Sequence, residues 1–363
     1  MYRPFANIHL DRLRKNYRYL QQLTNDVKIM AVVKADAYGH GMIEIANVLQ
    51  EAGVFGFCVA LECEIQELIN NGILHPILHL GRLDKRIIRL CLGNNVWCSI
   101  NDLSDIDIIQ ENVSKDRKIT AHLKIDTGMG RLGADTNIIK EMLFKIKGTP
   151  QIRLEGLWSH FATAGETDNR YLKEQLDRYI KIKEQVQSEI QNVKYFHIAN
   201  SSAIIRNSDT HFNMVRPGIA LYGVSPTGDL QKDLDPVMEF KAAICMIKKI
   251  RAKESVGYDR TYFADRDIDI AIIQAGYADG LPTGLSNKGM LVFGEKTANI
   301  VGKISMDLTT ADVTGMQMKV GNHLTIWGRD LPIANVSKMI KFIPYELLTG
   351  VSKRVKRIYH DES

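Results

Sequence analysis

Residues 31–40 read Ala-Val-Val-Lys-Ala-Asp-Ala-Tyr-Gly-His, a short apolar run that ends on a lysine and breaks at once into a glycine-punctuated turn. Met30 to Val33 have the β-branched, bounded character of a buried parallel strand, so Lys34 falls where such a strand delivers a side chain to the mouth of an α/β fold. An ammonium partly desolvated there has a lowered pKa, and the neutral amine suits imine formation and proton transfer. A strand-end lysine ordinarily snorkels to solvent, so a chemical role for Lys34 depends on the rest of the chain.

The alternation of short apolar runs with longer amphipathic stretches continues through the first two-thirds of the sequence. Candidate strands end near Val33, Ala60, Leu80, Ile100, Ile125, His160, Ala199 and Gly218, and helix-like patterns at 42–52, 62–70 and 171–190 lie between several of them. Eight strand-then-helix units over about 220 residues match an α/β architecture closed as a (β/α)8 TIM-like barrel, with a doubly wound open sheet as the alternative. After about Gly223 the pattern changes. Runs at 238–250, 269–274, 290–294, 298–304 and 323–327, punctuated by Gly, Asp and Asn, predict an all-β C-terminal domain. The expected division is 1–230 for the barrel and 231–363 for the β domain, with the first ten or so residues able to pack against the latter. Ser225-Pro226-Thr227-Gly228-Asp229 has the most linker-like composition.

Composition narrows the function. The 363 residues are 45% hydrophobic and 25% charged, with neither a long apolar run nor a signal-peptide pattern in residues 1–15, so residence in the cytoplasm is the expectation. A net charge of +5 on 47 basic and 42 acidic residues is too dilute to imply nucleic acid. The run Lys353-Arg354-Val355-Lys356-Arg357 reads as a solvated or locally paired tail. Cys58, Cys63, Cys91, Cys98 and Cys245 have neither zinc nor disulfide spacing and are expected to be buried free thiols.

In a (β/α)8 enzyme the reacting groups project from the C-terminal strand ends, and phosphate is commonly held by the loops after strands seven and eight. After the seventh candidate strand comes His197-Ile198-Ala199-Asn200-Ser201-Ser202, and after the eighth Arg216-Pro217-Gly218-Ile219. Hydroxyl and backbone N–H groups at Ser201, Gly218 and Ile219 are suited to cradle a phosphate, with the Tyr38 phenol as a further donor. In isolation the same residues mark a helix cap and a turn.

Val-Val-Lys-Ala-Asp-Ala-Tyr-Gly-His-Gly, residues 32–41, resembles the segment in which alanine racemases carry the lysine bound as a Schiff base to pyridoxal 5′-phosphate, with Asp36 where many members have Asn. The resemblance runs from about Ile8 to Tyr359 through at least six blocks in family order. It implies that Asn200, Ser201, Gly218, Ile219 and Tyr38 bind the cofactor, that His160 lies near its ring, and that the Arg216 guanidinium donates to its pyridine nitrogen. Arginine does not deprotonate, so that nitrogen then stays unprotonated and the ring is a weaker electron sink, which favours reprotonation at Cα over transamination or elimination.

In His122-Leu123-Lys124-Ile125-Asp126-Thr127-Gly128-Met129-Gly130-Arg131-Leu132-Gly133, Lys124 corresponds to a lysine often carbamylated in the family and Arg131 to the arginine its carbamate orients toward substrate carboxylate and cofactor phenolate. A lysine beside an arginine repels it, whereas a carbamate turns the pair into a charge-assisted hydrogen bond. Racemisation needs an acid/base on each face of Cα. Glu254-Ser255-Val256-Gly257-Tyr258-Asp259-Arg260-Thr261-Tyr262 resembles the block that supplies the tyrosine opposite Lys34, so Tyr258 is the expected second base, although many members have Ser before that tyrosine and Gly after it. By the same resemblance the Met306 N–H contacts substrate carboxylate, Tyr277, Lys303 and Asp307 shape the entrance, and the β domain of one subunit closes the barrel of its partner in an obligate homodimer.

Departures from the family pattern cluster at that entrance: Lys303 for a common arginine, Gly165 for an aspartate, Thr283 near another arginine, and Lys353 for a cofactor-proximal tyrosine. The resemblance therefore implies L- and D-alanine racemisation for peptidoglycan precursors, with serine or other small amino acids open as substrates. A barrel-plus-β decarboxylase lacks its glycine-rich phosphate run and C-terminal cysteine-acid motif here, and a non-catalytic cofactor-binding protein would need no β domain. A metal hydrolase using Lys124, His160 and His197 would lack the usual close histidine pair at the first strand, so no metal is expected.

Overall fold

A strand buried on both faces needs a continuous apolar run, and such runs form the staves of a barrel in the structure, a computed structural model that describes residues 3–226 and 233–361. β1 (Phe5–His9) stands apart from that barrel. β2 (Lys28–Val32), β3 (Gly56–Val59), β4 (Ile77–His79), β5 (Val96–Ile100), β6 (Ile119–Lys124), β7 (Ile152–Trp158), β8 (Tyr195–His197) and β9 (Met214–Val215) form one eight-stranded sheet. Each of β2 to β7 pairs in parallel with the next, and β9 returns to β2. Among the described residues no ladder joins β8 to β9. That seam is bridged instead by Arg216 N–H donating to the Ala199 carbonyl at 3.0 Å, and by Asn213, whose side chain accepts from Phe196 N at 2.8 Å and donates to the Lys194 carbonyl at 2.7 Å. The helices expected at 42–52, 62–70 and 171–190 run Met42–Glu51, Glu62–Asn70 and Arg170–Glu189.

The second region is built on β10 (Met238–Ile250), followed by β11 (Ser255–Val256), β12 (Tyr262–Phe263), β13 (Ile268–Ile273), β14 (Met290–Phe293), β15 (Lys296–Asn299), β16 (Thr309–Asp312), β17 (His323–Trp327) and β18 (Lys356–His360). β10 pairs antiparallel with β13 and β17, and Phe240 meets Trp327 ring to ring at 4.8 Å in the core beneath them. β1 enters this sheet between β10, antiparallel, and β18, parallel.

Several expectations need correction here. The strand expected at 298–304 ends at Asn299, because the chain turns at Gly302 (φ 77°), where a Cβ would lie 2.7 Å from the Val256 carbonyl. The region is not purely β: helices run Ile333–Ile340 and Pro344–Gly350, the latter opened by a proline that needs no donor at that position. All five cysteines are free, but Cys63 is exposed on its helix and Cys245 half-buried. In the basic run, Arg357 is half-buried and donates to four backbone carbonyls. Thr227, Gly228 and Asp229 of the linker-like stretch, and the 230/231 boundary, lie outside the described residues. None of the described helices is long and apolar enough to cross a membrane.

One backbone feature sets the site. Ala35, Asp36, Ala37 and Tyr38, directly after Lys34, all take left-handed conformations with φ between 52° and 55°. Each costs an L-residue roughly 1–2 kcal/mol, so the run has to be held from outside. Glu64 accepts from Ala35 N at 2.6 Å, Asp36 accepts from Met42 N at 2.8 Å, and Arg357 Nε donates to the Gly39 carbonyl at 3.0 Å. Helix Pro344–Gly350 lies so close that a Cβ on Gly39 would be 2.4 Å from the Leu348 carbonyl.

Glu64 also accepts from Ala60 N and Leu61 N, at 2.8 and 3.0 Å. Glu64→Ala leaves three N–H groups without an acceptor and is expected to cost about 2–4 kcal/mol, read as a lowered thermal midpoint, with a smaller loss in Glu64→Gln. An unchanged midpoint in the alanine variant would refute this account of the turn.

Candidate functional site

The C-terminal strand ends and the loops beyond them enclose a cavity of about 440 Å³. It brings together Lys34, Tyr38, Lys124, Arg131, His160, Asn200, Ser201, Arg216, Gly218 and Ile219, residues far apart in the chain. Trp158 and Tyr345 line it as well and were not anticipated. A tryptophan ending β7 carries no local signal of function, and Tyr345 comes from the unexpected helix of the second region, stacked at a tilt 6.0 Å from the Tyr38 ring.

Two lysines and two arginines face the cavity, and no carboxylate lines it among the described residues. Burial, reinforced by Arg131, lowers the pKa of Lys34 below the usual lysine range. The same desolvation, followed by the charges of Arg131 and Arg216, brings Lys124 down to about 7. Its Nζ sits 4.3 Å from the Trp158 ring centroid, so the face of an indole is its nearest compensation. Burial, then Arg216, lowers His160 to about 3, which leaves a neutral imidazole on the cavity wall.

Arg216 is buried and anchored. One terminal nitrogen donates to His197 Nδ1 at 2.6 Å and to the His197 carbonyl at 3.0 Å, and the other to the Ser159 carbonyl at 2.7 Å. Burial lowers its pKa to about 10, still a cation at neutral pH, so His197 Nδ1 must be an acceptor. His197 Nε2 then carries the proton and donates to His122 Nδ1, 2.8 Å away, with both rings held neutral by burial. Among the described residues no group accepts from Arg216 Nε, which remains available to a ligand in the cavity.

Across the cavity, the Tyr38 phenol is kept protonated by burial, which raises its pKa. It fits only because residue 218 is glycine, where a Cβ would stand 2.5 Å from the Tyr38 oxygen. Ser201 Oγ accepts from Gly218 N at 2.9 Å, leaving its own proton to donate. The Ile219 N–H has no acceptor among the described residues. The Asn200 side chain caps the helix Ser201–Arg206 by accepting from Ala203 N at 3.1 Å.

Tyr258, Tyr277, Lys303, Met306 and Asp307 do not line this cavity. Tyr258 and Met306 are 69% and 52% exposed on the second region. Tyr277 N donates to the Ser305 carbonyl at 3.0 Å, Lys303 pairs with Asp259, and Asp307 pairs with Arg354, which also reaches Asp279 at 2.7 Å.

Residues 8–226 match the family model for the alanine racemase N-terminal domain, and residues 237–359 that for the alanine racemase C-terminal domain. Alanine racemase 2 of Caldanaerobacter subterraneus subsp. tengcongensis is 38% identical, covering 98% of this chain and 94% of its own length, and the alanine racemase of Clostridium novyi is 34% identical over 98% and 95%. Among solved structures, the alanine racemase of Clostridium difficile superposes with a TM-score of 0.93 at 32% identity, covering 99% of this chain and 96% of that one. That of Bartonella henselae, with covalently bound pyridoxal phosphate, gives 0.90 at 32%, covering 99% of each chain. With both halves of the chain matched and the barrel-mouth cavity in place, the chain belongs to the alanine racemase family of isomerases.

Proposed function

We propose that the enzyme interconverts L- and D-alanine using pyridoxal 5′-phosphate and one base from each of two subunits, supplying D-alanine for peptidoglycan. The supporting observation is the cavity lined by Lys34, Lys124, Arg131 and Arg216 without a carboxylate. It calls for anions, and a phosphate, a phenolate and a substrate carboxylate supply them. The donors fit: the Tyr38 and Ser201 hydroxyls, the Ile219 N–H and the bare backbone at Gly218 suit the phosphate, with Asn200 at its edge, while the open Nε of Arg216 suits a ring nitrogen and His160 the ring itself.

When bound, the cofactor supplies an electrophilic carbon for amines and a conjugated ring that takes up charge from Cα. Lys34, with its lowered pKa, holds the cofactor and exchanges the proton on the D-alanine side. Arg131, whose side chain has no partner among the described residues, takes the substrate carboxylate together with the Met306 N–H. Arg216 keeps the ring nitrogen unprotonated, so charge stays at Cα and the proton returns there. Tyr258 of a second copy moves the proton on the L-alanine side. The exposure of Tyr258 and Met306, and their absence from their own chain's cavity, support a homodimer whose entrances include Tyr277, Lys303 and Asp307. On this reading residues 1–230 form the cofactor barrel and 231–363 the domain that serves the partner, in the cytoplasm.

The decisive experiment incubates the protein with the cofactor and L-alanine, L-serine or L-lysine separately and measures each D-isomer by chiral chromatography. D-alanine is expected to dominate, and D-serine in excess would move the assignment to serine. In Lys34→Ala the absorbance band of the lysine-bound cofactor and racemisation are both expected to vanish. Retained activity would reject the assignment. Sedimentation should find activity only in a dimer, whereas a fully active monomer would overturn the shared site.

Lys124 makes a further prediction. With a pKa of about 7, roughly half of its amine is neutral at pH 7, against well under a thousandth for an ordinary lysine. A neutral amine adds to CO2 and loses a proton to give a carbamate, an anion beside Arg131. Activity should therefore fall in CO2-depleted buffer and recover with bicarbonate, with a labelled carbamate carbon visible by NMR. Bicarbonate-independent activity without that signal would exclude the carbamate.

A further inference from the structure

The turn that carries Tyr258 runs against local backbone preference. Gly257 has φ 79° and ψ −174°, a region open essentially to glycine alone, and Asp259 and Arg260 are left-handed at φ 57° and 50°. Each left-handed non-glycine residue costs roughly 1–2 kcal/mol, so the turn needs support from its surroundings. The phenol adds none, since Tyr258 has no hydrogen-bond partner among the described residues.

The support comes from the segments at 286–287 and 302–304. Asn287 donates to Thr261 Oγ1 at 3.0 Å and accepts from Gly302 N at 2.6 Å, tying the far end of the turn to the chain before residue 303. A Cβ on Gly257 would lie 3.2 Å from Lys303 N, so the turn backbone rests on residue 303. Arg260 is occupied locally by Ser255 Oγ at 2.9 Å and the Phe263 ring. The tie that reaches the residue next to the phenol is the ion pair between Asp259 and Lys303.

A glycine at 259 would take a left-handed φ without strain and offer no anion. The aspartate costs strain and offers one, which Lys303 receives.

We propose that the Asp259–Lys303 pair is a latch that fixes the direction of the Tyr258 phenol, making both positioning residues for the second base. The inference rests on the reading of Tyr258 as that base. An ion pair this exposed favours one geometry only a few-fold, so the latch tunes the position of a reacting group rather than securing the fold.

The test uses the purified holoenzyme and alanine deuterated at Cα. With L-alanine the label leaves to Tyr258, and with D-alanine to Lys34. Asp259→Asn and Lys303→Met are each expected to lower kcat a few-fold, up to about 5-fold, with little change in KM. They should raise the isotope effect from the L side and lower it from the D side. Lys303→Arg should restore both readouts, and the double variant should be no worse than the poorer single one. Tyr258→Phe, measured in parallel, should lose racemisation. Activity retained in Tyr258→Phe overturns the second base and the latch with it. An inactive Tyr258→Phe beside wild-type isotope effects in Asp259→Asn and Lys303→Met overturns the latch alone, even where their turnover falls equally in both directions.

Discussion

Four basic side chains around one cavity, with no carboxylate lining it among the described residues, is the constraint on which the rest of the site depends. Like charges in low dielectric repel strongly, and the protein answers in three ways. It lowers the proton affinity of the lysines, it offers the face of Trp158 to Lys124 and Arg216, and it leaves the remaining imbalance for anions brought from outside. The balance that makes Lys34 a usable amine therefore also selects ligands, because a neutral or cationic molecule would leave the repulsion in place.

The second requirement is that Lys34 point into this cavity rather than out to solvent. Four consecutive left-handed residues redirect the chain immediately after it, and they are held from two distant parts of the sequence, Glu64 and Arg357, and locally by Asp36 accepting from Met42 N. Arg216 follows the same logic from the opposite wall. Arg216, His197 and His122 form a chain in which the guanidinium fixes the tautomer of His197 and His197 that of His122, and the bonds to His197 and Ser159 anchor the guanidinium at the cavity.

Much of this was legible in the chain itself. Apolar runs marked the staves, and the residues at their ends, Lys34, Lys124, His160, Ser201 and Arg216, are the ones the barrel gathers. Period and composition report burial well, and a parallel barrel is mostly burial. What escaped depends on distant partners. Nothing in Ala-Asp-Ala-Tyr predicts a left-handed run, because local preference opposes it and only Glu64 and Arg357 permit it. Tyr345 was hidden because its helix is short and follows a proline, and the tyrosine meets Tyr38 only after the second region folds. The strand read through 298–304 failed for a similar reason. Around the turn at Gly302, Val301 packs with Val256 of β11 while Ala298, Ile300 and Ile304 enter the main core, and alternation alone does not distinguish that from a straight edge.

The insertion of β1 between β10 and β18 orders the assembly of the enzyme in time. β1 precedes every barrel strand in the chain and β18 follows them all, yet the two lie side by side in the sheet, with β10 on the other edge of β1. The earliest strand therefore waits, unpaired, for more than the length of the barrel to be synthesised. Arg357, within β18, is one of the groups that holds the turn after Lys34, so that turn is complete only with β18 in place. The sheet of the second region and the turn after Lys34 are thus tied through one arginine, so a disturbance in β18 reaches the barrel mouth.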